Sequence, residues 1–255
     1  MENTLLIGLS RQVALERQLA VVANNIANVN TTGYRSDKAV FEEYLKSPAH
    51  IDDFTGTDQR LSFVQDRATI HDFGQGPVER TGNPLDVALN GNAFFVVQVN
   101  GAERYTRNGA FQINTQGQLV TNDGHQVIGT NGPIIFQQGD QDISIARDGT
   151  ITVREGNNTA IDSRRGRLRL VSFEQPGALQ KQGANLFAAP NGAVAQAATN
   201  AAAHQGSIEK SNVSGVGEMA KMIEVMRAYT GISSVIQQLN DMRKMSIERL
   251  ADVPA

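Results

Sequence analysis

The chain contains no cysteine. That removes disulfide staples, thiolate metal sites and a cysteine nucleophile together, and leaves no thiol to mispair in an oxidising compartment. It contains no tryptophan, and aromatics are only 5% of its 255 residues. Lys and Arg total 23 against 26 Asp and Glu, a net charge of −3, and no basic surplus marks a nucleic-acid binder. No apolar run reaches the ~18 residues that a membrane-spanning helix requires, so no membrane insertion is expected. The first residues, Met1-Glu2-Asn3-Thr4-Leu5-Leu6-Ile7, lack the basic n-region and unbroken apolar h-region of a cleavable signal. On these signals alone the chain reads as soluble and cytoplasmic. Any export would use a route that reads something else.

Chemical machinery is equally sparse. The histidines His50, His71, His125 and His204 never fall at HxH or HxxxH spacing. No Gly-x-Ser-x-Gly elbow, P-loop or Gly-x-Gly-x-x-Gly is present. The acidic pairs Asp52-Asp53 and Asp140/Asp142 sit in polar stretches, where a solvated surface is the default. Arg164, Arg165, Arg167 and Arg169 form the one basic cluster. Arg167 and Arg169 share a strand face, which suits an acidic partner or, more simply, a charged edge that discourages strand pairing. A hydrolase using Asp86 or Asp123 would lack a second carboxylate in view. The expectation is no enzyme, no cofactor and no metal.

What the chain does have is helix at both ends. Met222, Val225, Tyr229, Ile232, Ile236 and Leu239 recur at alternating steps of three and four, a single apolar seam. Val216, Met219, Ile223 and Met226 add a second row. From Gly217 to Leu250 there is no proline and one interior glycine, Gly231. A helix over that span would be ~50 Å long, and its stripe must bury itself on something. At the other end, Leu15, Leu19, Val22, Ile26 and Val29 step four, three, four, three, with Leu5, Leu9 and Val13 extending the stripe backwards. This predicts a helix from Thr4 to Asn28. The two helices are predicted to meet, within one subunit or across several. Asn24, Asn25, Asn28 and Asn30 crowd the end of the first helix, and Gly33 fits a left-handed stop. The asparagine amides suit polar register contacts between helices, or simply face water.

Between the helices the composition changes twice. Phe41, Tyr44 and Leu45 hint at further helix, which Ser47-Pro48 and Phe54-Thr55-Gly56-Thr57-Asp58 break. Residues 34–68 read as an extended connector. From Thr69 the chain fills with hairpin punctuation: Asn-Gly at 90, 100, 108, 131 and 191, and Asp-Gly at 123 and 148. Runs such as Phe94-Phe95-Val96-Val97-Gln98-Val99 and Leu168-Arg169-Leu170-Val171-Ser172-Phe173 read as strands. About ten short strands are expected here. Ala193 to Ala203 is a loop or a return strand. The predicted class is α+β: a discontinuous helical polymerisation domain (1–33 and 211–250), the connector (34–68) and an inserted all-β domain (69–205).

Specific strings then point to a family. Ala23-Asn24-Asn25-Ile26-Ala27-Asn28-Val29-Asn30-Thr31-Thr32-Gly33-Tyr34 resembles the N-terminal signature of the flagellar rod, hook and hook-associated proteins. Gly206-Ser207-Ile208-Glu209-Lys210-Ser211-Asn212-Val213 and Met219 to Tyr229 resemble the matching C-terminal signature. Thr81-Gly82-Asn83-Pro84-Leu85-Asp86-Val87-Ala88-Leu89, Tyr105-Thr106-Arg107-Asn108-Gly109-Ala110-Phe111 and Gly117-Gln118-Leu119-Val120-Thr121 resemble the family's β domain. The chain length, Gln126-Val127-Ile128-Gly129 and Gly132-Pro133-Ile134 favour the proximal-rod type over the distal-rod type. One departure is Gly91-Asn92-Ala93-Phe94-Phe95, where relatives carry glycine in place of Ala93. This puts a positive-φ turn at that position in doubt.

The resemblance implies two terminal helices forming a coiled-coil-like inner layer of a helical tube, with the β domain outside. It implies a structural subunit of the basal-body rod in the periplasmic space, transmitting torque to the hook for motility. It implies export by the flagellar type III apparatus without signal cleavage. The implied partners are copies of itself, other rod subunits, the export apparatus and surrounding ring proteins. Leu15, Leu19, Val22, Ile26, Met222, Val225, Tyr229, Ile232, Ile236 and Leu239 would pack the polymerisation interface, with Asn24, Asn25 and Asn28 setting polar register. Alternatives are a distal-rod subunit, or a secreted β-rich binding module on a helical oligomerisation anchor.

Overall fold

The computed structural model describes residues 2–46, 61–155, 162–183, 185–190 and 193–251. His50, Asp52-Asp53, Ser47-Pro48, the Phe54–Asp58 stretch and Asn191-Gly192 lie outside them. The chain divides into two compact units. One gathers the terminal helices with residues 37–70; the other comprises residues 28–36 and 71–213.

In the first unit, α1 spans Glu2–Ala27 and α2 spans Gly215–Ala251. Their 26 and 37 residues correspond to roughly 39 and 55 Å. The stretch read as an extended connector, residues 34–68, supplies most of a two-stranded ribbon of Asp37–Lys46 and Leu61–His71. The helical hint at Phe41, Tyr44 and Leu45 is therefore wrong, because these residues lie within a strand. Three apolar residues at that spacing suit a helix, but Val40-Phe41 is also good strand material, and pairing with 61–71 decides the outcome.

The second unit is almost entirely β, with more and shorter strands than the punctuation suggested. Its main sheet holds ten strands, flanked by a three-stranded sheet and two-stranded pairs. Phe94–Val99 is central. Phe95 and Val97 face one core with Phe111, Leu119 and Ile151, while Phe94 and Val96 face a second with Tyr105, Phe173 and Phe187. A strand buried on both faces reads as a continuous apolar run, as this one does. Phe95 meets Phe111 edge to face at 4.9 Å between centroids, the geometry aromatic quadrupoles prefer.

The Asn-Gly signals mostly mark turns. Asn100 (φ 50°) and Gly101 (φ 81°) join Phe94–Val99 to Ala102–Thr106, and two positive φ values are the type I′ hairpin requirement. Gly109 is different. Its φ is not positive, and a Cβ there would lie 1.7 Å from the Val87 carbonyl oxygen. It is a packing glycine, needed because two backbones touch. Ala93 is buried in the core, and the positive φ nearby belongs to Gly91 (φ 93°). The Ala-rich stretch supplies return strands: Gln196–Ala197 against Leu170–Ser172, and Ala202–Gln205 against Val87–Asn90.

Candidate functional site

The helical unit is built on an antiparallel pair. Gly8 lies beside Ile236, Gln12 Nε2 donates to Tyr229 Oη at 3.0 Å, and Asn25 Nδ2 donates to Glu218 Oε2 at 3.3 Å. Positions rise along α1 as they fall along α2. Gly8 permits close approach, since a Cβ there would stand 3.3 Å from Ile236 Cγ1. Ser214 caps α2: its hydroxyl accepts from Gly217 N at 3.4 Å, and Glu218 sits in the first turn, where the helix dipole favours a carboxylate.

The predicted seam residues line this pair. Val22 and Val225 are fully buried, while Leu15, Leu19, Ile26, Met222, Tyr229, Ile232, Ile236 and Leu239 are half-buried. Burying Val22 and Val225 contributes ~1.5–3 kcal/mol each. The second row behaves differently. Val216, Met219, Ile223 and Met226 are 82%, 54%, 54% and 52% exposed, and Leu6, Leu9 and Val13 on α1 are about as open. Asp241 to Arg249 are exposed throughout.

The three asparagines take different places. Asn25 is buried. Its Oδ1 accepts from Asp37 N and its Nδ2 donates to Asp37 O, both at 2.9 Å. The side-chain amide thus pairs like a strand with the start of the ribbon, while also reaching Glu218 on α2. Asn24 is exposed, and Asn28 accepts from Thr31 Oγ1 at 3.1 Å within the turn.

The β unit holds a charged node that the sequence reading missed. Arg35 Nη2 lies 2.7 Å from Glu209 Oε1, and Arg107 Nη1 lies 3.2 Å from Glu209 Oε2, with all three side chains at most 2% exposed. Gly76 N donates to the same carboxylate at 2.9 Å, and Gly33 N donates to the Glu209 carbonyl at 2.8 Å. Arg107 also donates to the Leu89 and Gly91 carbonyls and stands over the Phe94 ring. Burial pushes the Arg107 guanidinium down to about 10, opposed by the Glu209 charge and reinforced by that of Arg35. Arg35 Nε and Nη1 and Arg107 Nε have no hydrogen-bond partner among the described residues. Beside the node, Tyr34 is buried under the Lys181 ammonium, 3.9 Å from the ring centroid. All three charged residues lie in or next to the strings that carry the family resemblance. No local pattern in the sequence marked them as buried.

The remaining candidates are structural. Asp86 accepts from Thr81 Oγ1 at 2.6 Å and Asn83 Nδ2 at 3.1 Å, a turn clamp rather than a poised base. Asp123 is exposed at a hairpin turn. Among the described residues no cluster of three His, Cys, Asp or Glu could hold a metal. The arginine cluster is used within the chain: Arg165 with Asp140 and Glu155, Arg167 with Asp148, and Arg169 with Glu103. Asp140, expected to be solvated, is nearly buried, and its bond to Arg165 holds its carboxyl below the usual carboxylate range.

Comparison with known proteins agrees with this geometry. Residues 5–35 match the model "Flagella basal body rod protein", 88–153 match "Flagellar hook protein FlgE/F/G D1 domain", and 204–249 match "Flagellar basal body rod FlgEFG protein C-terminal". The flagellar basal-body rod protein FlgF of Caulobacter vibrioides is 37% identical over 99% of this chain and 100% of its own length. FlgG proteins of Buchnera aphidicola (subsp. Baizongia pistaciae) and Agrobacterium fabrum are 35% and 34% identical over 92% and 93% of this chain, covering 95% of each relative. With end-to-end similarity at this level and family matches at both termini and in the β unit, the chain belongs to the flagellar basal-body rod protein family.

Proposed function

We propose that this chain, a structural rod subunit and not an enzyme, polymerises through its terminal helices. The paired α1 and α2 form the coiled-coil-like inner layer of a periplasm-spanning drive shaft, which carries torque to the hook. The observation that carries this reading is an antiparallel helix pair with a covered seam and further apolar residues left open. Leu15, Leu19, Val22, Ile26, Met222, Val225, Tyr229, Ile232, Ile236 and Leu239 serve polymerisation by building the pair. Asn25 sets its register, with Asn24 and Asn28 at the α1 end. The partners are further copies, other rod subunits and ring proteins around the rod. The chain is exported by the type III apparatus without signal cleavage; no helix of the described residues is long and apolar enough to cross a membrane. The full-length likeness to a FlgF protein supports a proximal position, and comparable likeness to FlgG proteins keeps the distal rod as the second reading. The test is electron microscopy of basal bodies from an in-frame deletion strain. Absent or truncated rods are expected, with the truncation point giving the position; complete rods and hooks would overturn the proposal.

A further inference from the structure

Residues 202–212 lie at the C-terminal end of the β unit, yet they hold its first strands. Ala202–Gln205 is the ladder partner of Val87–Asn90, and Ser207–Glu209 is that of Val78–Arg80. Val87, Ala88 and Leu89 are wholly buried. Without 202–205, a row of their backbone groups would sit in the core with no partner. Gln205 also ties in the three-stranded sheet. Its Oε1 accepts from Ile145 N at 3.1 Å, and its Nε2 donates to the Ile143 and Pro84 carbonyls, both at 2.8 Å. Asn212 Oδ1 accepts from Ser36 N at 2.8 Å, and its Nδ2 donates to the Asp72 and Gly74 carbonyls. Between these two clamps stands Glu209. Among the described residues it is the one ion-pair partner of Arg35 and of Arg107, which lie 174 and 102 residues earlier in the chain. Collapse of the unit before Glu209 arrives would bury two cations with no counter-ion, a cost comparable to much of a domain's whole stability.

We propose that residues 202–212 are a completion latch, with Glu209 as its charged bolt: the β unit folds only when this segment joins it. A machine that delivers the chain N-terminus first delivers the latch last. The strands before it then stay open until delivery is complete. At the export apparatus this keeps a long β-rich chain threadable. That use rests on the rod reading above, whereas the latch itself does not. A different order of events is physically distinct. Most of both cores comes from residues 93–187, which are contiguous in sequence. If they folded first and 202–212 docked afterwards, loss of a latch contact would speed unfolding and leave the folding rate alone.

Refolding and unfolding rates of the purified full chain, measured by stopped-flow in urea and followed in the β signal of circular dichroism, separate the two orders. Glu209→Gln removes the bolt's charge, and Gln205→Ala removes a neutral clamp outside the charged node. The latch predicts that at least half of each variant's destabilisation appears in the folding rate. For Glu209→Gln this means refolding slower by at least about tenfold. Refolding at the wild-type rate, with more than half of the loss in faster unfolding, would overturn the latch. If Glu209→Gln does not fold, Gln205→Ala decides by the same criterion. Neither result touches rod assembly, so the latch can fail while the rod reading stands.

Discussion

The Arg35–Glu209–Arg107 node allows the sharpest test of the physical account. Glu209→Gln keeps the shape of the side chain and the acceptor for Gly76 N, and removes only the charge. Two guanidiniums are then buried with no counter-ion, in a place where both are at most 2% exposed. Breaking a buried ion group by removing one partner costs about 3–5 kcal/mol, well above a neutral hydrogen bond at ~1 kcal/mol. For a unit of this size each kcal/mol moves the midpoint by about 2–4 °C, so a fall of roughly 6–20 °C is expected. Thermal unfolding of the full chain by circular dichroism, followed in the β signal, is the assay. Glu79→Gln is the control, because its pair with Lys210 is mostly exposed and contributes ~0–1 kcal/mol. Replacing all three node residues by methionine would remove the orphan charges but strand Gly76 N–H and the Leu89 and Gly91 carbonyls, so it should recover only part of the loss. The reasoning fails if Glu209→Gln and Glu79→Gln shift the midpoint equally.

Other consequences follow from single contacts. Gly109→Ala should prevent folding of the β unit or lower its midpoint severely, because its Cβ would meet the Val87 carbonyl and neither backbone can retreat; the yield of soluble, protease-resistant protein reads this directly. Asn25→Ala should cost about 1–3 kcal/mol in urea unfolding of the helical unit, because it strands a buried backbone N–H and C=O of Asp37. Asp140 is held below the usual carboxylate range by Arg165, so its contribution is present above the unfolded value near 3.8 and is lost as pH falls through the lower folded value. Acid unfolding of Asp140→Asn should therefore lack part of the wild-type loss below about pH 4.

Much of this was readable in the sequence, and the parts that were not share a cause. The helices were legible because the 3.6-residue period runs unbroken by proline, so α1 and α2 begin and end within a few residues of expectation. Hairpins were legible where Asn-Gly or Asp-Gly made the turn locally. Gly109 was misread because the same dipeptide served a long-range approach of two backbones. The strand Asp37–Lys46 was missed because its pairing partner lies outside the window in which periodicity is read. Arg35, Arg107 and Glu209 become a site only when distant segments converge, and no local pattern distinguishes a buried arginine from a solvated one. Spacing put Leu9 and Val13 on the same stripe as Leu15, Leu19 and Val22, yet both are exposed, so spacing alone could not say which apolar positions are covered inside the chain.

The central proposal is that the helix pair assembles the rod. Its most direct test is cryo-electron microscopy of basal bodies from the deletion strain carrying Ile232→Asp, which places a charge in the half-buried seam. The account predicts that rods stop where this subunit should enter, while the β unit of the purified variant unfolds at the wild-type midpoint. Complete rods built from Ile232→Asp subunits would contradict it.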